Sequence, residues 1–115
     1  MTDTNLSMEI GEDHPELRDA VRRLCADFPA VYWRRLDAAR EYPQEFVDAM
    51  TEGGFLAALI PEQYGGAGLS VRAASVILET IHSSGCNAGA CHAQMYTMGT
   101  VLRHGSEEQK QKYLP

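Results

Sequence analysis

The chain has 115 residues, enough for one small domain with one modest core. Sixteen acidic residues against ten basic ones give a formal charge of −6, the wrong balance for a face that must displace phosphate counterions, so nucleic-acid binding is disfavoured. A hydrophobic content of 44% is too high for a disordered chain.

Residues 1–12 read as a flexible tail and 13–115 as the folded domain. Asp13 stands where a helix N-cap belongs, with Pro15 just inside and Glu16 three positions on. Leu17, Val21, Leu24, Cys25 and Phe28 then form a one-sided helical stripe that Pro29 closes. A second helix is expected over residues 30–41, carrying Val31, Tyr32, Trp33 and Leu36. After Pro43 a third faces Phe46, Val47 and Met50 inward until Gly53-Gly54 stops it. The apolar run 55–60 leads into Pro61-Glu62-Gln63-Tyr64-Gly65-Gly66-Ala67-Gly68, which is turn chemistry.

Ser70 caps a fourth helix to about Ser84, Gly85 breaks it, and Asn87 caps a fifth through about Leu102. Ser106 and Gln109 have capping-box spacing and open a short polar helix over residues 107–114. No alternating strand pattern occurs, so the expected fold is all-α, an orthogonal bundle of about five to six helices. From Thr80 to Leu102 there is no Asp, Glu, Lys or Arg, yet serines, glycines, Asn87, His92 and Gln94 interrupt the run. That argues against a membrane span and for a buried centre. Helices apolar on most sides must be surrounded, and so few helices imply that some of this surface faces something outside the chain.

Three cysteines, Cys25, Cys86 and Cys91, are too few for a disulfide framework and point to a reducing compartment. The polar N-terminus lacks the form of a signal peptide, so the expected location is cytoplasmic. Cys86 and Cys91-His92 are spaced too widely for covalent haem attachment. His82, Cys86, Cys91 and His92 lack the tight cysteine pair of a zinc site, so the cysteines read as small apolar fillers. Gly65-Gly66-Ala67-Gly68 precedes a helix, where a phosphate could meet free N–H groups, but no Gly-Lys-Ser/Thr follows and the dinucleotide pattern fails at Val71. A tight structural turn is favoured over a phosphate cradle. His92 shares a helix face with Ala88, Cys91, Met95, Tyr96 and Gly99, a mixture that suits a core more than a pocket wall. His104 suits the negative end of its helix.

The stretch Ile60-Pro-Glu-Gln-Tyr-Gly-Gly-Ala-Gly-Leu-Ser70 resembles the Pro-Glu-x-Tyr-Gly-Gly turn of the acyl-CoA dehydrogenase family. The segment Gly105-Ser-Glu-Glu-Gln-Lys-Gln-Lys-Tyr-Leu-Pro115 resembles the close of that family's N-terminal helical domain. Order and spacing match from about Asp13 onward. The resemblance implies a flavoenzyme of fatty acid metabolism that removes an α-proton and a β-hydride from acyl-CoA thioesters, the hydride passing to FAD. The flavin lies mainly between a β domain and a C-terminal helical domain, and the N-terminal domain walls the acyl pocket.

Neither the flavin-binding segment of the β domain nor the carboxylate base of the C-terminal domain has a counterpart here, so no catalytic residue is carried over. By the same resemblance the wall residues are Ala88, Cys91, His92, Met95 and Tyr96. The chain alone is expected to retain no FAD, and either to meet the missing β and C-terminal domains or to self-associate through its exposed apolar faces. The alternative is a free-standing helical interaction or oligomerisation module without catalytic activity.

Overall fold

The computed structural model describes residues 14–115. The tail expected over residues 1–12 and the Asp13 cap lie outside the described residues. Six α-helices and one short 3₁₀ turn follow one another: α1 (Pro15–Cys25), α2 (Ala30–Ala39), α3 (Gln44–Glu52), the 3₁₀ turn (Glu62–Tyr64), α4 (Val71–Ser83), α5 (Gly89–His104) and α6 (Glu107–Tyr113). No strand occurs among the described residues, so the all-α expectation holds.

The first helix starts one residue later than its sequence signals suggest. His14 is the N-cap, in the left-handed region at φ 52°, and Pro15 takes the first helical position. That position would leave its N–H unbonded in any case, so proline costs nothing there. At the other end of α2, Arg40 adopts φ 57° and stops the helix at Ala39, two residues short of the expected end. Phe28, Tyr32, Trp33 and Phe46 form a cluster of edge-to-face rings, with centroids 4.9–5.2 Å apart across the α1–α2 turn, α2 and α3. The Trp33 indole N–H donates to the Phe28 carbonyl at 3.0 Å, satisfying the one polar atom the ring brings inward.

The main core joins Val21, Cys25, Leu36, Phe46, Met50, Ile77 and Ile81 with Ala88, Cys91 and Met95 from the start of α5. Large side chains such as Phe46, fully buried here, stabilise such a core by about 1.5–3 kcal/mol each. α1 lies along α4, and Arg18 sits at that contact on the Val21–Cys25 face of α1. It is only 4% exposed, and its guanidinium pairs with Glu79 and reaches Thr80 Oγ1 at 3.4 Å. A buried guanidinium is tolerated because a carboxylate meets it.

A second, smaller core joins Ile60, Tyr64 and Leu114, with Ala57, Met98, Val101 and Leu102 packed against it. α5 therefore straddles both cores, its first half in one and its second half on the other.

The expectation that residues 80–102 form a buried centre is corrected. α4 buries one face, but α5 fully buries only Cys91 and Met95 of its 16 residues. The physical reason is that uncharged is not the same as apolar. Gln94, Thr97, Thr100, Tyr96, His92 and the glycines give α5 a hydrated outer surface without a formal charge.

Candidate functional site

Two local structures bring the candidate residues into place. The first is the glycine turn. Gly65 and Gly68 have φ of 88° and 64°, and a Cβ on Gly66 would lie 2.0 Å from the Ile60 carbonyl oxygen. A side chain has no room at Gly66, and at Gly65 and Gly68 it would be strained by the left-handed backbone. The turn's amides point inward: Gly66 N–H donates to Pro61, Ala67 to Ala57, Gly68 to Ile60 and Leu69 to Ala58, all at 2.7–3.1 Å. Their donors are committed to backbone carbonyls, which makes this a structural turn whose own amides are already bonded. Immediately after it, Ser70 Oγ accepts the Ala73 N–H at 3.1 Å and starts α4.

The second is the entry to α5. Asn87, expected as its N-cap, stands one residue earlier, and Ala88 occupies the cap position. The Asn87 side-chain oxygen still accepts the Gly89 N–H at 2.8 Å, so the turn has the polar closure that the asparagine suggested. At the far end the capping box is complete: Gln109 N–H donates to Ser106 Oγ at 3.2 Å, and Ser106 N–H donates to Gln109 Oε1 at 2.9 Å.

Between the first half of α4 and the length of α5 from His92 to His104 lies a groove of about 720 Å³. Its α4 wall is Val71, Ala74, Ser75 and Leu78, the stripe that a helix beginning at Ser70 must present on one side. Its α5 wall is His92, Met95, Tyr96, Gly99, Thr100 and Arg103, one stripe at helical spacing. Tyr96 is 61% exposed, Val71 71% and Leu69 41%, so three large apolar groups meet solvent along one opening. The His92 and Tyr96 rings stand edge to face on the α5 rim with centroids 5.3 Å apart.

The five residues proposed for the wall thus divide. His92, Met95 and Tyr96 line the groove, Met95 as its buried floor. Ala88 and Cys91 pack in the main core at 1% and 0% exposure and do not line it. Burial pushes the Cys91 thiol up to about 11 and the Cys25 thiol up to about 12, the latter helped by neighbouring Cys86. Such thiols stay protonated at neutral pH and act as apolar fillers. His82 and His92 are exposed while Cys86 and Cys91 are buried, so these four do not converge; no group of three metal-ligating side chains occurs among the described residues. Leu69, Val71, Leu78 and Arg103 were not singled out for the groove from sequence. The signal for Val71 and Leu78 was the α4 stripe following the Ser70 cap; Leu69 lies just before that cap.

A family model described as "Acyl-CoA dehydrogenase, N-terminal domain" matches residues 11–115. The chain belongs to the acyl-CoA dehydrogenase family. It is 35% identical to a probable acyl-CoA dehydrogenase of Mycobacterium tuberculosis over 93% of this chain and 28% of the relative. It is 36% identical to a glutaryl-CoA dehydrogenase of Desulfococcus multivorans over 98% of this chain and 29% of the relative. It is 34% identical to a 3-(aryl)acrylate reductase of Clostridium sporogenes over 86% and 28%. The chain spans between a quarter and a third of the length of these curated relatives. No solved structure matches it.

Acyl-CoA dehydrogenases imply FAD, and the described residues do not fit it by themselves. The glycine-turn amides are bonded to carbonyls, Ser70 and Ser106 cap the starts of α4 and α6, and no buried polar side-chain atom lacks a partner among the described residues. Among the described residues, no helix is long and apolar enough to cross a membrane.

Proposed function

We propose that the chain acts as the N-terminal helical domain of an acyl-CoA dehydrogenase-like flavoenzyme and supplies part of the wall of the acyl pocket. The observation that carries this is the α4–α5 groove: a mostly apolar opening on an otherwise acidic domain, rimmed by His92 and Tyr96 and floored by Met95. A saturated acyl chain needs an apolar wall, and Leu69, Val71, Leu78 and Met95 supply the apolar part of this groove. The flavin and the base that takes the α-proton belong, in this proposal, to other parts of the enzyme.

His92 and Tyr96 are bulky and polar-tipped for such a wall, and they shorten the pocket. In the full-length flavoenzyme, Tyr96→Ala is expected to move the kcat/KM optimum several-fold toward longer acyl-CoA thioesters, since each buried methylene gains roughly 0.8 kcal/mol. An unchanged profile across short, medium and long thioesters would refute the wall role.

A further inference from the structure

Cys25 and Cys86 come together from distant parts of the chain. Cys25 ends α1, and Cys86 stands 61 positions later in the loop between α4 and α5. The Cys86 thiol lies 3.8 Å from the Cys25 carbonyl oxygen and 3.5 Å from that of Phe28. The Cys25 and Cys86 side chains also hydrogen-bond to each other. Both residues are buried, and both are free thiols. As thiols they fill the core, but two thiols in contact can also exchange two hydrogens for one bond.

The two differ in access. Cys86 lines a second groove of about 710 Å³, between the end of α2 and the α4–α5 loop, together with Trp33, Leu36, Tyr42 and Asn87. Cys25 and Cys91 do not line it. A small neutral oxidant entering this groove therefore meets one sulfur, with a second held against it. The loop has room to let the two sulfurs close to the roughly 2.0 Å of a disulfide. Gly85, next to Cys86, has a φ of 85°, and a Cβ built on it meets nothing within 4 Å.

We propose that Cys25 and Cys86 are a site of oxidation by hydrogen peroxide, closing to a disulfide that staples the end of α1 to the entry of α5. The Cys86 sulfur attacks one oxygen of the peroxide, the O–O bond breaks, and the thiol proton leaves with the departing oxygen as water. Cys86 is then a sulfenic acid. The Cys25 sulfur attacks it, the S–OH bond breaks, and the Cys25 proton leaves with that hydroxyl as a second water. Two thiols are oxidised and one peroxide is reduced to two waters. Burial keeps Cys25 protonated at rest, so it reacts only once the neighbouring sulfenic acid supplies a hydroxyl to take its proton. The bond restrains a long stretch of the unfolded chain, which stabilises the folded one. It also tethers the start of α5, a helix that buries only Cys91 and Met95 fully.

The test is a peptide map of the native protein after exposure to hydrogen peroxide, with remaining thiols blocked before unfolding. Trypsin should yield residues 24–34, which hold Cys25, joined to residues 73–103, which hold Cys86 and Cys91. Backbone fragmentation between Asn87 and Ala90 should assign the bond to Cys86, and dithiothreitol should separate the peptides. Cys91→Ala should form the same link, while Cys25→Ala should stop at a Cys86 sulfenic acid that dimedone captures. The oxidised protein should melt several degrees higher, and reduction should reverse the gain. A link to Cys91, a link between two molecules, or thiols that all stay free while the peroxide oxidises glutathione in the same tube overturns the proposal. A disulfide that leaves the midpoint unchanged overturns the stapling of α1 to α5. The wild-type map decides the pairing without the variants, so a Cys25→Ala protein that fails to fold does not obscure it.

Discussion

The Tyr64 hydroxyl lies 2.8 and 3.0 Å from the two carboxylate oxygens of Glu107 and shares its single proton between them. This contact joins the two segments that signal the family in the sequence, the glycine turn and the closing helix, which lie 43 positions apart. Leu114 buries itself beside Tyr64 and Ile60 in the same small core, and Pro115 lies over Gly65. Two motifs that read as independent punctuation are one packed unit.

Tyr64→Phe keeps the ring in that core and removes only the hydroxyl. It is expected to lower the urea midpoint without changing the slope, because a bond is lost and the folded surface is not. Glu107→Gln keeps an acceptor in place and should lose less. An unaltered midpoint in Tyr64→Phe would show that the turn and α6 are held together by packing alone.

Alkaline pH should unfold the domain through three groups. Tyr64 is held above its ordinary value first because its hydroxyl donates to Glu107, and Cys25 and Cys91 are held up first by burial. In each the folded pKa exceeds the unfolded one, so the folded state keeps protons that the unfolded state has lost. The stabilisation is complete below about pH 9, the ordinary thiol value, and is lost as pH rises through about 11 for Cys91. Stability plotted against pH should fall over that window, and Cys91→Ala should flatten part of the fall. A curve flat to pH 11 would contradict the burial of these thiols.

The glycines separate two kinds of constraint. Gly66→Ala drives a methyl to 2.0 Å from the Ile60 carbonyl oxygen, against backbone that cannot swing aside. A loss above about 3 kcal/mol is expected. Gly54→Ala meets no atom within 4 Å and suffers only from its φ of 81°, so about 1 kcal/mol is expected. Chemical denaturation of the two variants side by side checks the ordering.

Glu79→Ala removes the carboxylate that meets the buried Arg18 guanidinium and should cost about 1–3 kcal/mol, below the value for a fully enclosed pair because Glu79 is half exposed. Arg18→Met, which removes the charge and keeps the bulk, should cost less than Glu79→Ala. The reverse order would mean that Arg18 contributes mainly through hydrogen bonds.

Much of this fold is legible in the sequence because its signals are local. Ser70 and Ser106 cap the helices they precede, and Phe46, Val47 and Met50 turn inward as their spacing requires. Arg18 was readable too, since it lies in register with Val21 and Cys25, but a charge invites the assumption of solvent. The groove was only half legible. On α5 the stripe of Ala88, Cys91 and Met95 adjoins that of His92, Tyr96 and Gly99, and periodicity cannot say where the core ends between neighbouring stripes. That boundary is set by α4 and the first core, which are long-range partners. The restriction at Gly66 is local but has no periodicity to betray it: its reason is the position of the Ile60 carbonyl in the same turn.

α5 is the longest helix among those described, and only Cys91 and Met95 anchor it fully. Its opening free energy is therefore low beside that of α4, which has six buried residues in 13. In hydrogen exchange, the amides from Tyr96 to Thr100 should lose their protons to deuterium well before those of Ile77 and Ile81. A surface that yields on that timescale can adjust to whatever packs against it while the aromatic cluster around Phe46 stays still. Plasticity on this side of the molecule and rigidity on the other then follow from the same uneven distribution of buried side chains.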